Sequence, residues 1–411
     1  MSDMLDQAMP MLDVVVIGAG LAGLACAAAL PGRRGLVLER EDRIGGRVST
    51  RHEAGFVAEL GAAFAYNAAL APSGFVGSPV ELESGPLVLH DAERGTLLRG
   101  HEVRDCLLAE RTPDDARRLA LELEQFGRGE RELDQLDADL RARLGAFMAV
   151  LHPGPIAAYE PRRQRDALLR FANRWREAGN DELVMALRER VELELMLGCE
   201  VVELVEREDR VELVVRDPAG ERRRLACARV VLAVPTSAAL QLLPELDEAR
   251  RATLAAIEWQ AGSVGVLELD PADELPEFSY LVSTRPELAL VLRRDRQLSC
   301  YWLDALELDA DALRERCERA LAELGVGLAP GRTRWFAHQH WPTLAPVIGE
   351  GHRRWSAECL RPSERIVLAG DWTWLDDGKH MPYGMVAAVA SGRRAAAMIR
   401  EAERSESARS T

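Results

Sequence analysis

The stretch "VVVIGAGLAGLACA" at 14–27 sets Gly18, Gly20 and Gly23 in a G-x-G-x-x-G spacing between an apolar run and a run of small residues. The apolar run, 13–17, is short and valine-rich, as a strand covered on both faces is. The small-residue run, 22–30, suits a helix lying close against a sheet. A second apolar run at 35–40 completes a strand, helix, strand unit of the length a parallel pair requires. Within it Gly18 permits a tight turn, Gly20 lets the backbone approach a diphosphate, and Gly23 lets the helix approach the sheet. The diphosphate then meets unpaired N–H groups and the positive end of the helix dipole.

Glu39 closes the second strand about twenty residues after Gly18, where a carboxylate accepts from both hydroxyls of an adenosine ribose and repels a 2′-phosphate. Just beyond it, "EREDRIGGRVST" (39–50) supplies Gly45, Gly46 and Arg47. A plain NAD domain has no use for that second glycine pair. FAD reaches further than the first loop, so a side-chain-free stretch can pass over its diphosphate while Arg47 supplies charge. The combination points to FAD.

Between these residues and the C-terminus the chain changes character several times. Residues 105–180 contain three stretches of helical spacing with charged outer faces and read as a helical insertion. Residues 199–235 alternate like a meander, with a turn at "DPAG", and close on "VVLAV". Strand candidates "SVGVLELD", "LALVLRR" and "LSCYW" follow within 259–305. "RIVLAGD" (365–371) reads as another buried strand, followed by a helix over 386–399 and a frayed tail. Nucleotide-type elements thus sit at both ends of a chain whose 411 residues are long for one core. The expected fold is α/β (α+β overall). A discontinuous Rossmann-like FAD-binding domain (1–65, 180–240 and 353–411) is interwoven with a substrate domain of mixed β-sheet plus helices (66–179 and 241–352).

A net charge of −15 argues against nucleic acid as a partner, because phosphate binding needs a clustered positive field. No apolar run approaches the roughly 18–20 residues that span a bilayer, which leaves only peripheral membrane contact through a greasy substrate entrance. The acidic start "MSDMLDQAMPML" lacks the regions of a signal peptide. The seven cysteines form no C-x-x-C pair, so neither a zinc site nor a disulfide framework is expected, and a reducing, cytoplasmic setting fits. His338, His340 and His352 have no carboxylate or cysteine at ligand spacing, so no metal is expected.

Taken in order, "VVVIGAGLAGLACAAAL", "LEREDRIGGRVST", "GFVAELGAAF" (55–64), "RVVLAVP" (229–235), "HWPTLAPVIGEGH" (340–352), "VLAGDWT" (367–373) and "VAAVASGRRAA" (386–396) resemble the flavin-containing amine oxidase superfamily. That superfamily includes monoamine and polyamine oxidases, protoporphyrinogen oxidase, phytoene desaturases and renalase. The resemblance implies noncovalent FAD, with Gly18, Gly20, Leu21, Ala22 and Gly23 at the diphosphate and Glu39 and Arg40 at the adenosine ribose. It places Gly45, Gly46 and Arg47 across the middle, with Gly61 and Ala62 as further contacts. Val201 or Val202 would meet the adenine through its backbone, and Gly370 and Asp371 the ribityl or diphosphate segment. The helix beginning near Val386, with Ala387, would point its N-terminus at the flavin ring.

The chain also departs from that pattern. The Glu-Gly-Ala triplet of typical members is here Val386-Ala387-Ala388. Amine-oxidising members carry a lysine on a substrate-domain strand, yet the only lysine here is Lys379, in the loop "WLDDGKHMPYG" (374–384) between two flavin-contacting segments. Lys379 and His380 can each move a proton, and with Tyr383 they are the catalytic candidates. A solvent loop in which Asp376 and Asp377 pair with Lys379 is the plainer reading. Trp341, Trp372 and Tyr383 are candidate pocket walls, although Trp372 and Trp374 equally suit interface packing. Glu59 reads as a capping or salt-bridge carboxylate.

The reaction implied is hydride removal from a C–N or C–C bond of a small hydrophobic or amine-bearing molecule, with O2 or another electron acceptor. The alternatives are an NAD-linked dehydrogenase and a noncatalytic lipid or protein binder on the same scaffold, as in Rab GDP-dissociation inhibitors.

Overall fold

A computed structural model of the chain describes residues 11–53, 56–62, 86–151, 165, 169, 179–270, 276–284, 288–326, 333–347, 355–373, 375 and 384–410. In chain order the strands are β1 (Leu12–Ile17), β2 (Gly35–Leu38), β3 (Thr50–Glu53), β4 (Phe56–Glu59), β5 (Leu87–Asp91), β6 (Thr96–Gly100), β7 (Glu194–Met196) and β8 (Glu200–Glu206). They continue as β9 (Val211–Arg216), β10 (Arg222–Leu232), β11 (Trp259–Leu269), β12 (Tyr280–Ser283), β13 (Leu288–Arg294), β14 (Gln297–Trp302), β15 (Thr333–Pro346) and β16 (Ile366–Leu368). The α-helices are α1 (Leu21–Ala28), α2 (Val103–Leu108), α3 (Pro113–Gly127), α4 (Ala138–Leu151), α5 (Asp181–Arg188), α6 (Thr236–Leu242), α7 (Glu248–Ala255), α8 (Ala310–Glu323) and α9 (Gly384–Ser410).

Two sheets organise the molecule. In the first, β7, β2, β1, β10 and β16 lie side by side and parallel. The long β10 leaves this core to pair antiparallel with β9, which pairs with β8. Strand order reverses at β1, with β2 added on one side and β10 on the other, both parallel to it, so the carboxyl ends Ile17 and Leu232 flank the crevice where open α/β sheets bind their ligands. One face of this sheet is covered by α1, α5 and α9, the other by α6, α7 and the β8–β9 hairpin. Burial on both faces accounts for the unbroken apolar runs of β1 and β16.

The second sheet has the order β15-β11-β14-β13-β12-β5-β6 and is antiparallel except for the β12–β5 pair. Helices α2, α3 and α4 pack on one face and α8 on the other. Helix α3 follows its sequence signals closely: Thr112 accepts from the Asp115 N–H at 3.2 Å, Pro113 opens the first turn, and Asp114 and Asp115 complement the dipole.

Helices α1 and α9, from opposite ends of the chain, meet through Gly392. A methyl there would sit 2.0 Å from the Ala22 carbonyl oxygen, so the helices approach at backbone contact. The C-terminal tail, expected to fray, is helical to Ser410. Glu403 pairs with Arg33 at 2.5 Å and Glu406 with the buried Arg229, which ties the tail to the body. No helix among the described residues is long and apolar enough to cross a membrane.

Candidate functional site

The turn after β1 is packed tightly against the end of β10. Gly18 has φ +102°, and a methyl on it would lie 2.6 Å from the Ala233 carbonyl, so only glycine fits. Gly20 caps α1 without any side-chain cap, and the first turn, with the buried Leu21, Ala22 and Gly23, carries no acidic residue. Its leading N–H groups therefore face the crevice uncapped. Across from them runs the second glycine loop: Gly20 and Gly45 form a parallel bridge, and the Gly45 N–H donates to the Ala19 carbonyl at 2.9 Å. The two loops touch backbone to backbone at the start of α1.

Glu39 lies at one end of this cradle, 8% exposed. Its two carboxylate oxygens accept from the Ala19 N–H at 2.7 Å and the Glu41 N–H at 3.0 Å. A carboxylate has about four acceptor positions, so capacity remains for a ribose. The backbone of Glu39 and Glu41 is tied to the entry of β8 by the Cys199 and Gly198 N–H groups, at 2.7 and 2.8 Å. The β8–β9 register shifts between Val201 and Glu203, so Val202 stands outside the ladder beside that carboxylate strand. Arg40 is exposed and pairs with Glu41 at 3.0 Å.

The other end is formed from the C-terminus. Gly370, at φ +139°, follows β16 and donates its N–H to Ser391 Oγ of α9 at 2.9 Å. Asp371 is 3% exposed and accepts from the Trp372 N–H at 3.1 Å and from Arg47 Nη2 at 2.5 Å. Arg47 also donates to the Leu344 carbonyl at 3.1 Å and lies 5.1 Å from the Trp259 ring. Val386 and Ala387 are buried at the start of α9, which begins at Gly384.

Gly61 and Ala62 lie against the second glycine loop, with the Ala62 N–H donating to the Arg47 carbonyl at 3.0 Å. Trp341 reaches the same segment, its indole N–H on the Leu60 carbonyl at 2.6 Å. Trp372 is placed differently from a pocket wall. It is 1% exposed, meets Trp355 edge-on at 5.5 Å and donates to the Val234 carbonyl at 3.0 Å, inside the core under the first sheet. Lys379, His380, Tyr383 and Trp374 lie outside the described residues. At the centre of β11, the long strand next to the edge of the second sheet, stand Val264, Gly265 and Val266, with no lysine.

Several residues of this neighbourhood escape a reading of the sequence. Arg43 fastens the second glycine loop by donating to the carbonyls of Gly46 at 2.8 Å and Val48 at 3.2 Å. Asn180 donates to the Ala62 carbonyl at 2.7 Å, and Tyr301 to that of Gly61 at 3.2 Å. Asn180 had a visible signal, because it immediately precedes the acidic first turn of a helix. Glu59 accepts from the Asn180 N–H at 2.6 Å and the Thr50 hydroxyl at 2.8 Å. Burial pushes its carboxyl up to about 7, against the opposing pull of those two donors and Arg294. Burial, with the Glu59 charge, also raises the Tyr301 phenol well above its ordinary range, so it remains a donor.

These residues fit FAD: an uncapped helix terminus, a side-chain-free contact of two loops, and a carboxylate with unused acceptor capacity, closed by a second set from the C-terminus. Fold and cradle together define the class as that of FAD-binding oxidoreductases. The flavin containing amine oxidoreductase family matches residues 82–400, and the NAD(P)-binding Rossmann-like domain matches residues 16–69. The chain belongs to the flavin-containing amine oxidoreductase family, and its cofactor is FAD.

Polyamine oxidase 3 of Oryza sativa subsp. japonica is 40% identical over 101 residues, which are 22% of this chain and 21% of that protein. The match thus spans about a fifth of that relative's length. Among solved structures, wild-type putrescine oxidase bound to putrescine superposes with a TM-score of 0.68 at 19% identity, over 95% of this chain and 99% of that one. Cyclohexylamine oxidase from Brevibacterium oxydans IH-35A gives 0.69 at 18% identity, over 97% and 100%. At these identities the likeness is one of fold.

Proposed function

We propose that the protein is an oxidase or dehydrogenase of small amine-bearing or hydrophobic molecules, removing a hydride from a C–H at the carbon of the C–N or C–C bond that is oxidised. The observation that carries this reading is the Arg47–Asp371 contact, which joins the N-terminal and C-terminal halves of one continuous cradle. The family and the oxidases similar in fold support an amine as the substrate class. Bound FAD supplies the hydride-accepting ring. The first glycine loop and α1 bind its diphosphate, Glu39 orients the adenosine ribose, and Val202 offers backbone to the adenine.

Arg47 and Asp371 hold the middle, and the start of α9 faces the ring. The missing lysine on β11 moves proton handling to Lys379 or His380, with Tyr383 lining the pocket, or leaves catalysis to alignment of the C–H bond alone. FAD is held noncovalently, electrons pass to O2 or another carrier, and the setting is cytoplasmic. The cofactor part is taken as 1–65, 180–240 and 353–411.

The test is anaerobic titration of the yellow holoprotein with a panel of mono-, di- and polyamines, following loss of flavin absorbance. Bleaching by at least one amine is expected; a holoprotein that none of them bleaches contradicts the amine reading. Replacing Lys379 by Met and His380 by Gln then separates the two proton routes. Unchanged reduction rates in both return that loop to solvent.

A further inference from the structure

Three consecutive carbonyls, those of Leu60, Gly61 and Ala62, each accept a hydrogen bond from a different side chain. The donors are the indole of Trp341 on β15 at 2.6 Å, the phenol of Tyr301 on β14 at 3.2 Å and the amide of Asn180 ahead of α5 at 2.7 Å. The N–H groups of the same segment point the other way. Leu60 donates to the Ser49 carbonyl at 2.7 Å and Ala62 to the Arg47 carbonyl at 3.0 Å. A methyl on Gly61 would lie 2.0 Å from the Arg47 carbonyl oxygen, so the two segments are in backbone contact.

Residues 60–62 are therefore zipped to Arg47–Ser49 on one edge and clamped by three donors on the other. The segment held in this way is the one from which Arg47 reaches Asp371. Trp341 adds a second hold, because the Arg43 guanidinium, which fastens the Gly45–Gly46 loop, lies 5.8 Å from its ring.

We infer that Tyr301 and Trp341, on the second sheet, are positioning residues for the cofactor, fixing Arg47 and the second glycine loop through the backbone of residues 60–62. The assignment rests on the FAD reading proposed above. It also gives the second sheet a part in cofactor affinity that is separate from any part in substrate contact. Each donor satisfies a backbone carbonyl whose loss frees one peptide unit beside Arg47. The Tyr301 phenol holds its proton through the neutral range, so its own hydrogen bond to the Gly61 carbonyl persists there.

The experiment compares Tyr301→Phe and Trp341→Phe with Trp302→Phe in the full-length protein. Trp302 is the next residue along β14 and faces the opposite side of the sheet, where its indole meets Cys317 Sγ at 3.4 Å. FAD affinity is read by quenching of tryptophan emission on titration of the apoprotein, and ring environment by visible circular dichroism of bound flavin. Thermal unfolding of the apoprotein reports on the sheet itself. Tyr301→Phe and Trp341→Phe are expected to raise the Kd for FAD on the order of fivefold each and to alter the flavin dichroism. Trp302→Phe is expected to lower the Tm and leave both cofactor readouts alone. Cofactor readouts unchanged in Tyr301→Phe and Trp341→Phe, or changed equally in Trp302→Phe, overturn the inference while the flavin reading stands. A wild-type protein that takes up no FAD overturns both.

Discussion

Arg47 and Asp371, 324 residues apart in the chain, form an ion pair of 2.5 Å in which the carboxylate side chain is 4% exposed and the guanidinium 27%. The pair joins the loop after β2 to the turn after β16, so the two ends of the cradle are held by one contact. Removing either partner strands the other charge. Arg47→Met is expected to destabilise the protein by about 3 kcal/mol, the low end for a broken buried pair, because the guanidinium keeps some access to water. Asp371→Asn costs less, since an amide oxygen still accepts from Arg47 and from the Trp372 N–H. Urea unfolding of both single variants and the double variant is expected to give a coupling energy of about 1–3 kcal/mol; strictly additive effects would refute the pairing.

The Gly392 contact predicts a steric cost. A methyl there would meet the Ala22 carbonyl at 2.0 Å and the Cys26 nitrogen at 2.9 Å, both of them backbone atoms that cannot swing aside. Helix α9 must then withdraw from α1, and Gly392→Ala is expected to lose about 1–3 kcal/mol. Gly220→Ala serves as the comparison: nothing lies within 4 Å of the added methyl, and its φ of +83° alone costs about 1 kcal/mol. On the proposed placement of FAD between α1 and α9, only Gly392→Ala is expected also to weaken FAD binding. Equal losses in the two variants would show the helices free to separate.

How much of this was legible in the sequence follows from how local each signal is. The first glycine loop, Glu39 and the Gly45–Arg47 stretch lie within about thirty residues of one another, and each performs a backbone task that names its residue type. Strand β15 was invisible as a strand. It contains Pro342 and shows no clean alternation of burial, both of which an edge strand tolerates, and its place at the sheet edge appears only in three dimensions. Strands β5, β6 and β12 were likewise unread, because β5 and β12 pair across nearly two hundred residues. The tail reads as frayed because chain ends usually are, yet Glu403 and Glu406 in it hold it to Arg33 and Arg229. Tyr301 and Trp341 reach carbonyls 240 and 281 residues away, a relationship that no spacing records.

The cysteines give a solution check on the packing. Cys26, Cys106, Cys199, Cys227, Cys300 and Cys317 are buried, and Cys359 alone is half-exposed. Burial pushes the Cys26, Cys106 and Cys227 thiols up to about 12, so almost no thiolate is present at neutral pH. The native protein is expected to release one equivalent of thionitrobenzoate from Ellman's reagent quickly and the remaining six only in denaturant. Rapid reaction of a second thiol would show that one of these cores opens.

Glu59 makes stability depend on pH in the opposite sense to an ordinary paired carboxylate. Its carboxyl is raised from 4.5 to about 7, chiefly by burial, with Asn180, Thr50 and Arg294 opposing and Asp181 adding to the rise. Between those two values the folded chain holds a proton that the unfolded chain has released. The native state binds more protons there, so this contribution to stability falls as pH rises through the window and levels off above it. The loss is on the order of 2–3 kcal/mol. Glu59→Gln has no proton to lose, and its amide oxygen can still accept from the Asn180 N–H while its NH2 group donates to Thr50 Oγ1. Unfolding free energies at pH 5 and pH 8 are therefore expected to differ more in the wild type than in the variant by about that amount. The wild type would be the more sensitive to alkali across the window; parallel pH profiles would mean that water reaches the carboxyl.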